Sequence, residues 1–353
     1  MNKKIICAVA AISLIFTSAG CNKASSDPIV AKVNDYNITL SEFDFYLNNI
    51  KQQMQGTELS SDEDWKTMDI NGKKAIEIAK EKALDLALDN IAYIEIYEKL
   101  GNKFTDDVNK SIEELKNNVV SQYDQNGGYD EFLKQSNVKD EFIDLLCKSM
   151  YCSEQLYKQY TDGMEVTEDE INDFYNEYQN EYFSGYRRAK HVLILTKNAD
   201  TNEEYSDEQK AEAKKKAEEI YAKAQAGEDF DSLVKEYSED PGSATNPDGY
   251  VFGDGEMVQE FQDCVDSLEI GGIGFCESSF GYHIIQRLPL TADSFADKIK
   301  SQILSSKFSD YIGQKKEEYG ITLVETDEMA KAMKNVLPND TGSSNEEENE
   351  EQK

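Results

Sequence analysis

Histidine is almost absent from this chain: 353 residues contain two, His191 and His283. Six cysteines accompany them, at spacings that match no zinc-ligand pattern. That argues against a metal centre built on imidazole and thiolate, and no cofactor is expected. Basic residues are also scarce, 37 Lys and Arg against 70 Asp and Glu, for a formal net charge of −33. Without a basic face there is nothing to neutralise phosphates, which argues against nucleic acid as a partner. The acid is spread along most of the chain, which reads as a solvated surface; weak attraction to basic, unfolded polypeptides is the sharper alternative. Long apolar runs are missing too: beyond the first twenty residues, none is long enough to cross a bilayer.

What is present begins at the N-terminus. Asn2-Lys3-Lys4 is a short basic start, Ile5 to Phe16 is an apolar run too short to span, and Ser18-Ala19-Gly20 is a small-residue cleavage site. Cys21 follows directly. Small residues before a Cys resemble the bacterial lipobox, in which that Cys becomes the lipid-bearing N-terminus. Leu usually stands three residues before the Cys; here it is Ser18. An ordinary secretory signal with a coincidental Cys is the other reading. Four cysteines then remain in the mature chain. Cys147 and Cys152 lie five apart in a helical pattern, on different faces. Cys264 and Cys276 are open either to pairing outside the cell or to burial as free small hydrophobes, the latter preferred.

Turn and capping signals divide the rest. Ile29 to Val33, Asn34-Asp35 and Tyr36 to Ile38 read as a hairpin. Thr39 with Glu42 forms a capping box opening a helix. Helical spacing then runs from about Lys73 to Leu100, closed by Gly101, from Thr105 to about Tyr123, and from Asp140 to about Tyr160. Thr167 and Glu170 make a second capping box. At Ser184-Gly185 the pattern changes to a β-α-α-β-α-β unit ending near Pro289, with strands at His191–Leu195 and around His283. Its helices are Ala/Lys/Glu-rich to about Ala226, then Phe230–Tyr237 and Gln259–Leu268. Phe295 to Tyr319 reads as a long helix, Ile321 to Val324 as a strand, and the Asn/Glu/Ser-rich end from about Pro338 as disordered.

Both histidines sit in strands of period two. His191 shares a face with Leu193 and Leu195, and His283 with Ile285. An imidazole facing a core must be hydrogen-bonded, so two neighbouring strands would let the rings meet.

Five ordered strings carry a family resemblance: Lys190-His191-Val192-Leu193; Gly227-Glu228-Asp229-Phe230; Tyr237-Ser238-Glu239-Asp240-Pro241-Gly242-Ser243; Gly255-Glu256-Met257-Val258-Gln259-Glu260-Phe261; and Phe280-Gly281-Tyr282-His283-Ile284-Ile285. In this order and at these spacings the segment Arg187–Arg287 resembles parvulin-type peptidyl-prolyl isomerases. With the lipobox and the flanking helices, the whole chain looks like a PrsA-type extracytoplasmic foldase, related in layout to SurA. The resemblance implies an α+β fold in which a parvulin domain, a small antiparallel sheet flanked by helices, is inserted between two parts of a mainly helical chaperone domain. The divisions expected are a signal peptide 1–20, a lipidated tether 21–28, an N-terminal helical chaperone domain 29–184, the isomerase domain 185–289, a C-terminal helix 290–336 packing on the N-terminal domain, and an acidic tail 337–353.

Rotation about an X-Pro bond faces a barrier of about 18–20 kcal/mol because the amide has partial double-bond character. No bond breaks, so neither nucleophile nor metal is required; a catalyst need only bind the twisted amide better than the planar one. The resemblance implies that His191 and His283 form a polar floor, with Asp240 beside it and Ser278 as hydrogen-bond partner of one ring. Met257 and Phe261 match the proline pocket, at i, i+4 on one face if a helix begins there, and Phe252 completes the wall. Bland alternatives stand beside each. The histidines are equally readable as a structural pair, Asp240 as the start of an Asp-Pro-Gly turn, and Met257 and Phe261 as plain core. Two departures matter. Many parvulins carry Gly-Gly before the strand leading to the Met, where this chain has Asn246-Pro247-Asp248-Gly249-Tyr250-Val251-Phe252. The loop after the first strand, Lys197 to Glu204, is acidic on balance, unlike the basic cluster of phosphate-directed parvulins.

The expected function is a membrane-anchored foldase that isomerises X-Pro bonds in unfolded or newly secreted polypeptides and holds them, tethered through lipid on Cys21 at the outer face of the cell membrane. A chaperone or scaffold with an inactive parvulin unit is the runner-up. A solute-binding lipoprotein is disfavoured by the helical flanks. Monomer and homodimer both remain open.

Overall fold

Residues 27–335 are described in the computed structural model, apart from 55–58, 60, 125–127 and 200. The expected signal peptide, Cys21 and the acidic tail lie outside the described residues. The chain groups into two units. One contains the residues up to Met164 together with those from Leu304 onward, and the other is Glu165–Ile303.

In the first unit, β1 (Ile29–Val33) and β2 (Tyr36–Thr39) form the expected hairpin. Asn34 takes the left-handed conformation that its turn requires, with φ of 49°. The Thr39 box is present: Thr39 N–H donates to Glu42 Oε2 at 2.9 Å, opening α1 (Leu40–Met54). Next come α2 (Asp62–Thr67), a two-residue ladder of β3 (Asp69–Ile70) and β4 (Lys73–Lys74), and α3 (Ala75–Lys99). After them stand α4 (Asp106–Asp124), α5 (Tyr129–Ser136) and α6 (Asp140–Thr161). Spacing had marked α1, α3, α4 and α6, but not α2, the β3–β4 ladder or α5. One apolar core joins α1, α3 and α6, with Phe142 edge-on to both Phe45 and Tyr46 at 5.4 Å.

The second unit opens with α7 (Glu168–Tyr178), capped by Thr167 and Glu170 as read, and continues through a π-helical turn at Gln179–Phe183. Then follow β5 (Arg187–Leu195), α8 (Asp207–Gln225), α9 (Phe230–Tyr237), β6 (Tyr250–Phe252), α10 (Gln259–Ser267), β7 (Ile273–Ser278) and β8 (Gly281–Leu288). The order is β-α-α-β-α-β-β, one strand more than expected. The four strands lie in the order β6-β5-β8-β7, antiparallel throughout. Helices α8 and α9 cover one face through Val192, Ile194, Ile220, Leu233, Tyr282 and Ile284. The opposite face carries a smaller cluster of Ala189, Phe252, Phe261, Val265 and Ile285 under α10.

The chain leaves the sheet through a 3-10 turn at Ala292–Phe295 into α11 (Ala296–Tyr319), then β9 (Leu323–Glu325) and α12 (Asp327–Asn335). The division falls after Met164 and Ile303, whereas composition placed it after Ser184 and Pro289. The reason is a third cluster: Ile171 and Phe183 pack with Ala292, Phe295 and Ile299, so α7 and the first turns of α11 join the sheet unit. In the first unit, β9 pairs with β1, and Phe308, Ile312, Ile321 and Met329 enter the helical core. The fold is thus mostly helical with small antiparallel sheets, as the α+β reading held.

Candidate active site

β5 and β8 are neighbours, which places the two histidines on one face. His191 stands opposite Ile285 and His283 opposite Leu193, so the rings are diagonal partners two residues out of register. Their planes are 10° apart, and Nδ1 of one lies 3.0 Å from Nδ1 of the other. Both are buried, at 8% and 4% exposure.

Hydrogen bonds extend from each ring outward. His191 Nε2 is 2.8 Å from Asp240 Oδ2, and Ser278 Oγ is 2.7 Å from His283 Nε2. Asp240 sits at the entry to the 3-10 turn Pro241–Ala244, where Gly242 N–H donates to its Oδ1 at 3.0 Å. Its turn role and its place beside His191 therefore coexist. Tyr250 O–H donates to Asp240 Oδ2 at 2.6 Å, and Ser243 O–H at 3.2 Å. A line of side chains results: Tyr250, Asp240, His191, His283, Ser278.

The electrostatics give that line a direction. Burial raises the Asp240 carboxyl, but the bonds from His191, Tyr250 and Gly242 outweigh it and hold the group well below the usual carboxylate range. Burial pushes His283 down from 6.5 to about 3; the neighbouring His191 ring adds to this and Asp240 opposes it. An ionised Asp240 accepts a hydrogen bond from His191 Nε2–H, leaving Nδ1 to accept one from His283 Nδ1–H. His283 Nε2 then accepts from Ser278 O–H, and Ser278 Oγ accepts the Phe280 N–H at 3.1 Å. Every polar atom of both rings is satisfied with His283 neutral.

Above this floor stands an aromatic wall. The Phe261 ring is edge-on to His191 at 5.1 Å and to His283 at 5.5 Å, and Phe252 lies 5.7 Å behind it. Met257 packs against the same cluster, but from the loop before α10, since that helix starts at Gln259. The two residues therefore share a pocket without sharing a helix face. Arg187 holds this loop and helix to β5, with a forked pair to Asp266 at 2.7 and 2.9 Å and a bond to Asp254 at 2.5 Å. The single Gly249 lets β6 approach: at φ of 90°, a Cβ there would meet the Ala189 carbonyl oxygen at 2.7 Å. One chain segment thus places all seven expected residues around one floor. Tyr250 was missed, although its position inside the segment that departs from the parvulin pattern was the available signal. No group of three or more His, Cys, Asp or Glu able to hold a metal occurs among the described residues.

Comparison with known proteins agrees with this architecture. Residues 178–288 match the PPIC-type peptidyl-prolyl isomerase domain, and residues 2–135 match the SurA-like N-terminal domain. The foldase protein PrsA of Caldanaerobacter subterraneus subsp. tengcongensis is 27% identical over 346 residues, covering 95% of this chain and 98% of that one. The foldase protein PrsA of Geobacillus sp. (strain WCH70) is 32% identical over 287 residues, covering 79% and 78%. Among solved structures, PrsA from Bacillus subtilis aligns at 22% identity over 76% of this chain and 89% of that one, with a TM-score of 0.28; the assignment rests on the sequence matches. By that identity and cover, the chain belongs to the PrsA foldase family, and its sheet unit is a peptidyl-prolyl cis-trans isomerase domain of the parvulin type.

Proposed function

We propose that this protein is a lipid-anchored foldase at the extracytoplasmic face of the cell membrane, isomerising X-Pro bonds in secreted, unfolded polypeptides and holding those clients in its helical unit. The lipid is carried on Cys21. No helix among the described residues is long and apolar enough to cross a membrane. The observation that carries the catalytic half is the satisfied line Tyr250–Asp240–His191–His283–Ser278 beneath Phe261.

In this reading Phe261, Met257 and Phe252 grip the proline ring and the histidine floor excludes water. A planar amide places partial negative charge on its carbonyl oxygen through resonance, and twisting about C–N withdraws it. A fixed carboxylate beside the rotating amide, Asp240, disfavours the planar form relative to the twisted one. His191 and His283 act as positioning residues, holding Asp240 and Ser278 in place without exchanging protons with the substrate.

The test is a protease-coupled prolyl-peptide assay on the mature chain. Asp240→Asn removes the charge and keeps the shape; a fall in kcat/KM of roughly tenfold or more, about 1.4 kcal/mol in the barrier, is expected with the fold intact. An unchanged rate in that variant would remove Asp240 from the mechanism, and no rate in the folded wild type would leave only the holding role. That role is read separately, as suppression of client aggregation by a chain from which residues 165–303 have been removed.

A further inference from the structure

The pocket-facing side of β7 is built from small residues. Gly274, Cys276 and Ser278 alternate on it, while Ile273 and Phe275 face the core under α8 and α9. α10 packs across those small residues. Cys264 lies three residues after Phe261, nearly one turn along this helix, and its sulfur fills the space a Gly274 side chain would need; a Cβ there would come within 2.8 Å of it. Cys276 is the next residue along this face of β7 from Gly274, and Cys264 and Cys276 pack against the same apolar cluster. Cys276 in turn stands opposite His283 and two residues before Ser278, the hydroxyl bonded to that ring.

We propose that Cys264 and Cys276 form a reversible disulfide within the sheet unit, tying the helix that carries Phe261 to the strand that carries Ser278. The two thiols are also unequal: the neighbouring Cys276 thiol lowers Cys264, and Cys264, with burial, raises Cys276. Both are partly exposed. Cys147 and Cys152 are buried in the helical core, where burial pushes their thiols up to about 11 and about 12, so exchange is directed to the first pair. The oxidant required is a low-molecular-weight disulfide. The Cys264 thiolate attacks one of its sulfurs, forming a mixed disulfide and releasing one thiolate. Cys276 then loses its proton, attacks the Cys264 sulfur and releases the second. Two protein thiols and one disulfide become one protein disulfide and two small thiols. Formation of this bond does not depend on whether the site isomerises proline.

The experiment equilibrates the purified full chain with glutathione disulfide, quenches with acid, alkylates under denaturing conditions and maps the peptides by mass. A Cys264–Cys276 cross-linked peptide about 2 Da lighter than the sum of its free parts is expected, with Cys147 and Cys152 alkylated and a melting temperature several degrees above that of the reduced chain. Dithiothreitol should restore both thiols, and Cys264→Ser and Cys276→Ser should each abolish the cross-link. Separate alkylation or separate glutathione adducts at both positions in the wild type would overturn the proposal. So would a cross-link to Cys147 or Cys152, or an oxidised chain that melts no higher than the reduced one.

Discussion

Burial holds the His283 imidazole far below its ordinary range, from 6.5 to about 3, and that has a consequence for stability. Between those values the folded chain binds fewer protons at this residue than the unfolded one. The stabilisation is therefore complete above 6.5 and is lost as pH falls toward 3. Asp240 adds a second loss at lower pH: its folded carboxyl is depressed, so its contribution is present above 3.8 and disappears as pH falls further. Denaturant titrations of wild type and His283→Gln at pH 7, 5 and 4 should show the wild type losing more of its sheet-unit stability over that interval, a difference on the order of a few kcal/mol. Parallel losses in the two proteins would mean that His283 is not the neutral ring described. Tyr250 is the complementary probe. Tyr250→Phe keeps the ring and removes the 2.6 Å bond to Asp240, a bond to a charged group worth about 1.5–3 kcal/mol. The variant should begin to unfold at higher pH than wild type in an acid titration, because its Asp240 is less well held, and kcat should fall with KM little changed. An acid midpoint matching wild type would show that the hydroxyl carries no part of Asp240's stabilisation. Phe261 calls for a milder change than alanine, since at 3% exposure it is core as well as wall; Phe261→Leu should raise KM for prolyl peptides while the fold survives.

Among the elements, α1, α3 and α6 are joined by polar as well as apolar contacts. Ser149 O–H donates to Asn90 Oδ1 at 2.6 Å, and Asn90 Nδ2 donates to the Leu86 carbonyl at 3.0 Å and to the Tyr46 hydroxyl at 3.4 Å. All three side chains are buried. Asn90→Ala leaves Ser149 and Tyr46 without these partners and should cost about 1–3 kcal/mol in urea unfolding of the helical unit; an unchanged midpoint would show that the network contributes nothing net. Helices of both units were legible where a boundary residue announced them: Thr39 with Glu42 and Gly101 after α3 in the helical unit, and Thr167 with Glu170 in the sheet unit. α5 and α12 are short, at 8 and 9 residues, and too few turns accumulate for apolar spacing to stand out. β7 was missed for a different reason. Its alternation sets large apolar residues, Ile273 and Phe275, against Gly274, Cys276 and Ser278, so one face looks like a turn. The smallness of that face is what admits α10. Five of the candidate site residues, His191, Asp240, Met257, Phe261 and His283, were legible because they fall in strings of sequence, whereas Tyr250 reaches Asp240 only through the pairing of β6 with β5, which periodicity does not encode.

For the whole molecule, one unit is assembled from both ends of the chain. β9 pairs with β1 through Ala31–Glu325, Lys32–Val324 and Val33–Leu323, and Thr326 O–H donates to the Ile29 carbonyl at 2.7 Å. Lys80 pairs with Glu325 at 2.6 Å across 245 positions. Ile321, Met329 and Ala332 are buried in the core they share with α1 and α3. Full burial of such side chains is worth about 1.5–3 kcal/mol for each of the larger two, so the last segment carries a sizeable part of the 5–15 kcal/mol typical of a domain. It also covers an edge of β1 that would otherwise present unpaired backbone groups. Ending the chain at Gly320 should therefore broaden or abolish cooperative unfolding of the helical unit and expose it to limited proteolysis and aggregation. The sheet unit has its own apolar clusters within 165–303, and none of their residues lies beyond Ile303. Activity on short prolyl peptides should therefore persist in the truncated chain, while its ability to hold an unfolded client is lost. If the truncated chain kept the helical unit's melting temperature, β9 and α12 would be accessories; if it lost peptide activity in parallel, the two units would not be energetically separate.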